Sequence, residues 1–118
     1  MKVEYSTFMS RDIERTIEFY EKLAGLKVVR RFNPGMGEIA FMANGEGETM
    51  LEFIQFDKAE KVSVKGMVMA FHTDMPLDAL RAKAIELGYA PSEIIDVPPK
   101  PAHFTVADPD GLVVEFSV

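Results

Sequence analysis

Two carboxylates, Glu52 and Glu115, each stand alone in the middle of an apolar run, "TMLEFIQF" at 49–56 and "LVVEFSV" at 112–118. An ionised carboxylate only accepts hydrogen bonds, so such a group can anchor a donor, hold a cation or act as a base. Both glutamates are therefore candidate catalytic or anchoring residues. The plain alternative is that each is solvated on an open sheet face. The rest of the chemical inventory is thin. The chain has no cysteine, which excludes a disulfide framework, a thiolate metal site and a cysteine nucleophile. His72 and His103 lie in unrelated settings, so no Ser-His-Asp arrangement can be argued. The glycines of "NGEGE" at 44–48 precede no helix and do not form a phosphate loop. Arg30 and Arg31 could hold an anion, but a basic pair beside a turn is more often solvated.

The elements that position these groups follow from periodicity. Residues Val3 to Met9 are β-type. "SRDIERTIEFYEKLAG" then places Ile13, Ile17, Tyr20, Leu23 and Ala24 on one helical face, with Ser10 or Asp12 as the start signal and Gly25 as the stop. Strands are predicted for "LKVVRRF", "EIAFMA" and "TMLEFIQF", and "DKAEKVSVK" at 57–65 reads as a connector. "GMVMAFHTD" is apolar on both faces and is expected to be a central strand. A second helix carries Leu77, Leu80, Ala84 and Leu87, begins near Pro76 and ends at Gly88. "PSEIIDVPPKPA" gives a short strand at most, before the hairpin formed by "HFTVA", the Asp108–Gly111 turn and "LVVEFSV".

The order strand, helix, strands therefore occurs twice. One offset of 63 residues links Gly25-Leu26 to Gly88-Tyr89, Phe41 to Phe104, and "MLEF" at 50–53 to "VVEF" at 113–116. Strand alternation puts Met50, Glu52, Ile54 and Phe56 on one face, and Val113, Glu115 and Ser117 on one face. The helices need the other, more apolar faces. Both glutamates are thus expected on the side away from the helices, facing into one cup.

The paired βαβββ pattern, the helix "SRDIERTIEFYEKLAGLKV" and the terminal "DPDGLVVEF" resemble the vicinal oxygen chelate superfamily, which includes glyoxalase I, bleomycin-resistance proteins and extradiol dioxygenases. The resemblance spans nearly the whole chain. It implies a single α+β domain over 1–118, with modules at about 1–56 and 66–118 and connector 57–65. Eight strands would form a curved mixed sheet around a ligand cup, often completed by homodimerisation. Metal-using members carry ligands in the middle of each module's first and last strands. Those positions correspond here to Tyr5, Glu52, Val68 and Glu115.

This chain departs from that pattern, since neither Tyr5 nor Val68 is histidine and Val68 cannot bind a metal. Zinc and nickel favour imidazole or thiolate, and two carboxylates with a phenol suit neither. A harder divalent ion would rely on water. His72 shares the parity of Val68 but lies four residues on, roughly 13 Å along the strand. The facing of His103 depends on a hairpin register that the sequence does not set. No tight metal site and no cofactor are expected, and any divalent metal would sit on Glu52 and Glu115. Without a metal, two neighbouring carboxylates repel, and a shared proton, the Tyr5 hydroxyl or a cationic ligand would relieve the repulsion. Met50, Phe56 and His72 complete the expected cup, and Met42 is a further apolar candidate.

Composition frames the function. Hydrophobic residues make up 47% of 118, and the formal charge is −6. That supports a packed core and argues against a general nucleic-acid binder. No apolar stretch approaches the ~20 residues of a membrane span, and the start of the chain lacks a signal-peptide run, so a cytoplasmic location is expected. The leading expectation is a small-molecule-binding protein without a tight metal site. The alternatives are a divalent-metal glyoxalase I-like lyase or isomerase and an antibiotic-sequestering resistance protein.

Overall fold

The computed structural model describes every residue from Met1 to Val118. The chain divides into two units, Met1–Ser63 and Val64–Val118. The first contains β1 (Tyr5–Met9), α1 (Ile13–Lys22), β2 (Lys27–Phe32), β3 (Gly37–Ala43) and β4 (Met50–Phe56). Its sheet runs β1-β4-β3-β2, with β1 parallel to β4 and the other pairs antiparallel.

Helix α1 forms where the apolar spacing and its caps agree. Asp12 has extended backbone, and its side chain accepts from the Arg15 N–H, satisfying one of the orphan donors of the first turn. Gly25 takes φ 69° just past the end, a conformation a Cβ disfavours. The inner face buries Ile13, Ile17, Tyr20 and Leu23, and Phe19 as well. Tyr20 stacks on Phe53 at 4.9 Å, and Phe53 on Phe8 at 5.6 Å. Under the start of the helix the buried Ser10 and Thr16 hydroxyls bond each other at 2.8 Å. Gln55 Oε1 accepts from the Ile13 N–H at 2.8 Å. Leu51, Phe53 and Gln55 thus share the helix side of β4, and alternation puts Glu52 on the opposite side.

The second unit contains β5 (Val68–His72), α2 (Leu77–Glu86), β6 (His103–Ala107) and β7 (Val113–Ser117), with sheet order β5-β7-β6. Strand β5 is parallel to β7, and β6 is antiparallel to it. Helix α2 buries Leu77, Leu80 and Ala84 and packs against β6. Phe104, Val106, Val114 and Phe116 are almost fully buried. Phe116 stacks on Phe71 at 5.9 Å and lies 5.6 Å from Phe104. Glu115, between Val114 and Phe116, therefore faces away from α2.

Three expectations change. Seven strands form rather than eight, because the 91–102 segment contributes only the Ile95–His103 bridge. Its prolines at 91, 98, 99 and 101 lack the N–H that a ladder needs. Strand β5 lies at the edge of its three-stranded sheet, and the central strand is β7. The apolar character of β5 on both faces has two separate origins: Phe71 packs on Phe116, while Val68 and Ala70 lie exposed on the other face. Third, Phe41 and Phe104 are not equivalent. Phe41 pairs with Glu52, but Phe104 pairs with Phe116 and Thr105 pairs with Glu115. The offset is 63 for the parallel pairs, Tyr5↔Met50 and Val68↔Val113, and 64 for the helices and for β3 against β6. One inserted residue per repeat, invisible to the ungapped comparison, moves a side chain to the other face.

Candidate functional site: two carboxylates in different company

In the first unit the face away from α1 carries Tyr5, Thr7, Phe41, Met50 and Glu52 as registered neighbours. Glu52 lies between Thr7 on β1 and Phe41 on β3. The Thr7 hydroxyl donates to Glu52 Oε1 at 2.6 Å, in the range of a charge-assisted hydrogen bond. Glu52 Oε2 has no protein donor. Tyr5 does not reach Glu52. Its half-exposed ring stands edge-on to Phe41 at 5.4 Å, a favourable aromatic geometry. Arg30, paired with Phe41 in register, lies over the Phe32 ring at 4.7 Å. The polar group is therefore set in an aromatic and thioether surface.

Farther along β4 the same face closes, where Ile54 pairs with Ile39 and both are buried. Phe56, at the end of the strand, lines a separate cleft of about 570 Å³ with Met36 and the 57–59 turn. That cleft contains neither Tyr5 nor Glu52. Phe56 thus faces the expected side but is not brought together with the carboxylate. Met50 and Arg30 border a second cleft of about 310 Å³, together with Lys2 and Glu4. Arg31 belongs to the helix side. Its guanidinium is paired with Glu14 on α1 and lies 3.3 Å from Glu38. The Glu14 carboxylate, aided by Glu38, holds the Arg31 guanidinium above its ordinary pKa against the opposing effect of burial. It is a structural tie and leaves the anion-holding role without support.

In the second unit, Ala70 and Thr105 flank Glu115 in register. Val68 and Val113 pair one step away and are exposed, at 53% and 37%. Thr105, Glu115 and Ser117 share their face with His103, which resolves the facing the sequence left open. His103 is buried, and its Nδ1 lies 2.9 Å from the Pro101 carbonyl oxygen. Its Nε2 lies 3.8 Å from Glu115 Oε1. Lys100 Nζ approaches both Glu115 oxygens at 3.4 Å. His72 shares the face but pairs with Ser117, and its Nε2 lies 3.2 Å from Asp74 in an exposed position.

Sequence reasoning gave the faces of the carboxylates, left the facing of His103 open, and missed Thr7 and Lys100. A parallel pairing of Tyr5 with Met50 puts Thr7 opposite Glu52, so strand register is the signal for Thr7. Lys100 gave no signal, since it comes from a proline-rich loop.

The metal question can be put to this donor set. No group of three or more His, Cys, Asp or Glu side chains is arranged to hold an ion. Val68 is an alkyl group, Tyr5 is turned to Phe41, and Glu115 is covered by an ammonium. These residues do not fit the four-ligand metal site that the resemblance implies.

Comparison with known proteins places the chain. Residues 2–116 match the model of the Glyoxalase/Bleomycin resistance protein/Dioxygenase superfamily. The chain is 31% identical to the uncharacterized protein YwbC of Bacillus subtilis (strain 168), over 98% of this chain and 95% of the relative. Among solved structures it resembles TnmS3, an antibiotic-binding protein from Streptomyces sp. CB03234, with TM-score 0.77, 23% identity and coverage of 99% and 94%. It also resembles the trypanothione-dependent glyoxalase I of Leishmania major, with TM-score 0.80, 21% identity and coverage of 99% and 86%. At these identities the two structures speak for the fold. The family match over nearly the whole chain, on a sheet-and-helix plan found twice, makes this protein a member of the glyoxalase/bleomycin resistance protein/dioxygenase superfamily.

Proposed function

We propose that the protein binds a small organic molecule through the sheet faces that carry Glu52 and Glu115, without a tightly held metal ion. The observation that carries this reading is the surroundings of the two carboxylates. Each is held by protein donors, Thr7 in one case and Lys100 in the other, beside exposed apolar side chains. Apolar surface with a few placed polar groups is the usual make-up of a ligand site. Tyr5, Phe41 and Met50 supply the apolar contacts around Glu52, and Val68 and Val113 those around Glu115. TnmS3 is an antibiotic-binding protein, which makes sequestration of a drug-like ligand one form of the reading.

Elemental analysis of protein purified without chelator, followed by a binding screen of organic fragments, tests the proposal. The expected result is no near-stoichiometric zinc or nickel, with ligand contacts at Tyr5 and Met50 or at Val68 and Val113. Near-unity metal per chain that is lost in Glu115→Gln would overturn it. The reading includes a homodimer, which light scattering of the purified protein checks. No helix is long and apolar enough to cross a membrane.

A further inference from the structure

His103 and Glu115 present an unusual pairing of acceptors. A carbonyl oxygen can only accept, so the 2.9 Å contact with Pro101 commits His103 Nδ1 to carrying a proton. In the neutral ring Nε2 then offers a lone pair toward the side that holds Glu115. The 3.8 Å separation from Oε1 agrees. A protonated imidazole bonded to a carboxylate would close to about 2.8 Å. Both groups are largely buried, with side-chain exposures of 9% and 12%. Two acceptors therefore face each other across a gap too wide for a hydrogen bond. The only cation nearby, Lys100, is 56% exposed and stands at 3.4 Å, longer than a good ammonium–carboxylate bond.

We infer that His103 Nε2 and Glu115 form a subsite for the nitrogen of a primary ammonium, amine or amidine group on the ligand, with Lys100 as a displaceable cover. This inference rests on the small-molecule reading above and names the ligand chemistry for the second unit. A nitrogen about 2.9 Å from both acceptors fits across a 3.8 Å separation and can donate one N–H to each. The carboxylate favours a positive donor. An anionic group is disfavoured, because it would meet a carboxylate and a lone pair. Lys100 is attached through a flexible stem and can swing away to admit a competing cation. The adjoining Ala70 is small and exposed, and Val68 and Val113 offer apolar contact for the ligand's body. Glu52 lacks this arrangement, having a hydroxyl donor and no imidazole beside it.

The test uses benzylammonium, benzyl alcohol and benzoate as probes of one shape and different charge. The readout is the ring ¹⁵N resonance of His103 Nε2, followed by NMR titration. Benzylammonium should move that resonance, and benzoate should not. Glu115→Gln should weaken benzylammonium at least about tenfold, the scale of a lost charged hydrogen bond. Lys100→Met, at an exposed position, should fold normally and tighten the probe by roughly threefold or more, because it removes the internal competitor. Weaker binding in Lys100→Met, or preferential binding of benzoate, would show an anion site instead. A response abolished by a chelator would show a metal bridging the two acceptors. Silence of His103 to all three probes would also overturn the inference. If ligands still bound at Tyr5 and Met50 in that case, the broader functional reading would survive.

Discussion

Glu52 and Glu115 occupy the same place in two copies of one plan, yet their surroundings have diverged. Both sit on the last strand of their unit, and both face away from the helix. Around Glu52 the parallel neighbour is Thr7 and the antiparallel neighbour is Phe41. Around Glu115 the corresponding residues are Ala70 and Thr105. A short hydroxyl bond holds the first carboxylate, whereas an ammonium from the irregular 91–102 segment and an imidazole from the first residue of β6 lie beside the second. The difference follows from strand count. The first unit has a complete β2, so its sheet continues beside β3. In the second unit the same stretch is irregular, and its side chains are free to reach over the sheet. The irregular segment thus brings the Lys100 ammonium to Glu115.

Substitutions can break or sharpen this contrast. The largest effects belong to what the units share. Phe53→Ala and Phe116→Ala each remove a buried ring from an aromatic cluster under a helix. Each should cost about 3–5 kcal/mol in denaturant unfolding. A loss below about 1 kcal/mol at either position would mean that the two cores are not alike.

The turns that precede the two glutamate strands differ. Buried Asp108 accepts from the Asp110 and Leu112 N–H groups at 2.8 and 3.0 Å. Gly45, 63 residues earlier, has no side chain to do so. Asp108→Ala should therefore cost about 1–3 kcal/mol, the penalty of leaving buried donors unpaired. Thermal melts that leave Asp108→Ala unchanged would show the turn is held by its backbone alone.

Thr7→Val removes the one donor to Glu52 while keeping the shape, and should cost about 0.5–1.5 kcal/mol. The matching change Ala70→Thr in the second unit adds a hydroxyl opposite Glu115 and should leave Glu115 less dependent on Lys100. Loss of stability in Thr7→Val should shrink in a Glu52→Gln background, because a neutral amide oxygen is the weaker acceptor. Additive effects would separate the pair.

The smallest expected effects are those of the glutamates themselves. Glu52→Gln retains an acceptor for Thr7 and should change stability by less than about 0.5 kcal/mol. Glu115→Gln loses a 3.4 Å ion pair whose lysine end is 56% exposed, and should cost less than about 1 kcal/mol. Marked stabilisation by either change would support two carboxylates that repel each other.

Several of these features could be read directly from residue order. The faces of Glu52 and Glu115 follow from the two-residue period of a strand, which is local and obligatory. The buried face of α1 follows from the 3.6-residue period, and its start from Asp12. The family follows from the order of elements and the terminal turn, which again are local patterns. Tertiary structure decided what depends on which strand lies beside which. Hairpin register set the facing of His103 and separated Phe41 from Phe104. Sheet order made β5 an edge strand, although its apolar residues suggested a centre. Proline chemistry hinted that the 91–102 segment would not pair well, but not that Lys100 would return over Glu115. A side chain's own face is fixed by its backbone period, whereas its neighbours come from distant residues whose pairing depends on the energy of the whole sheet.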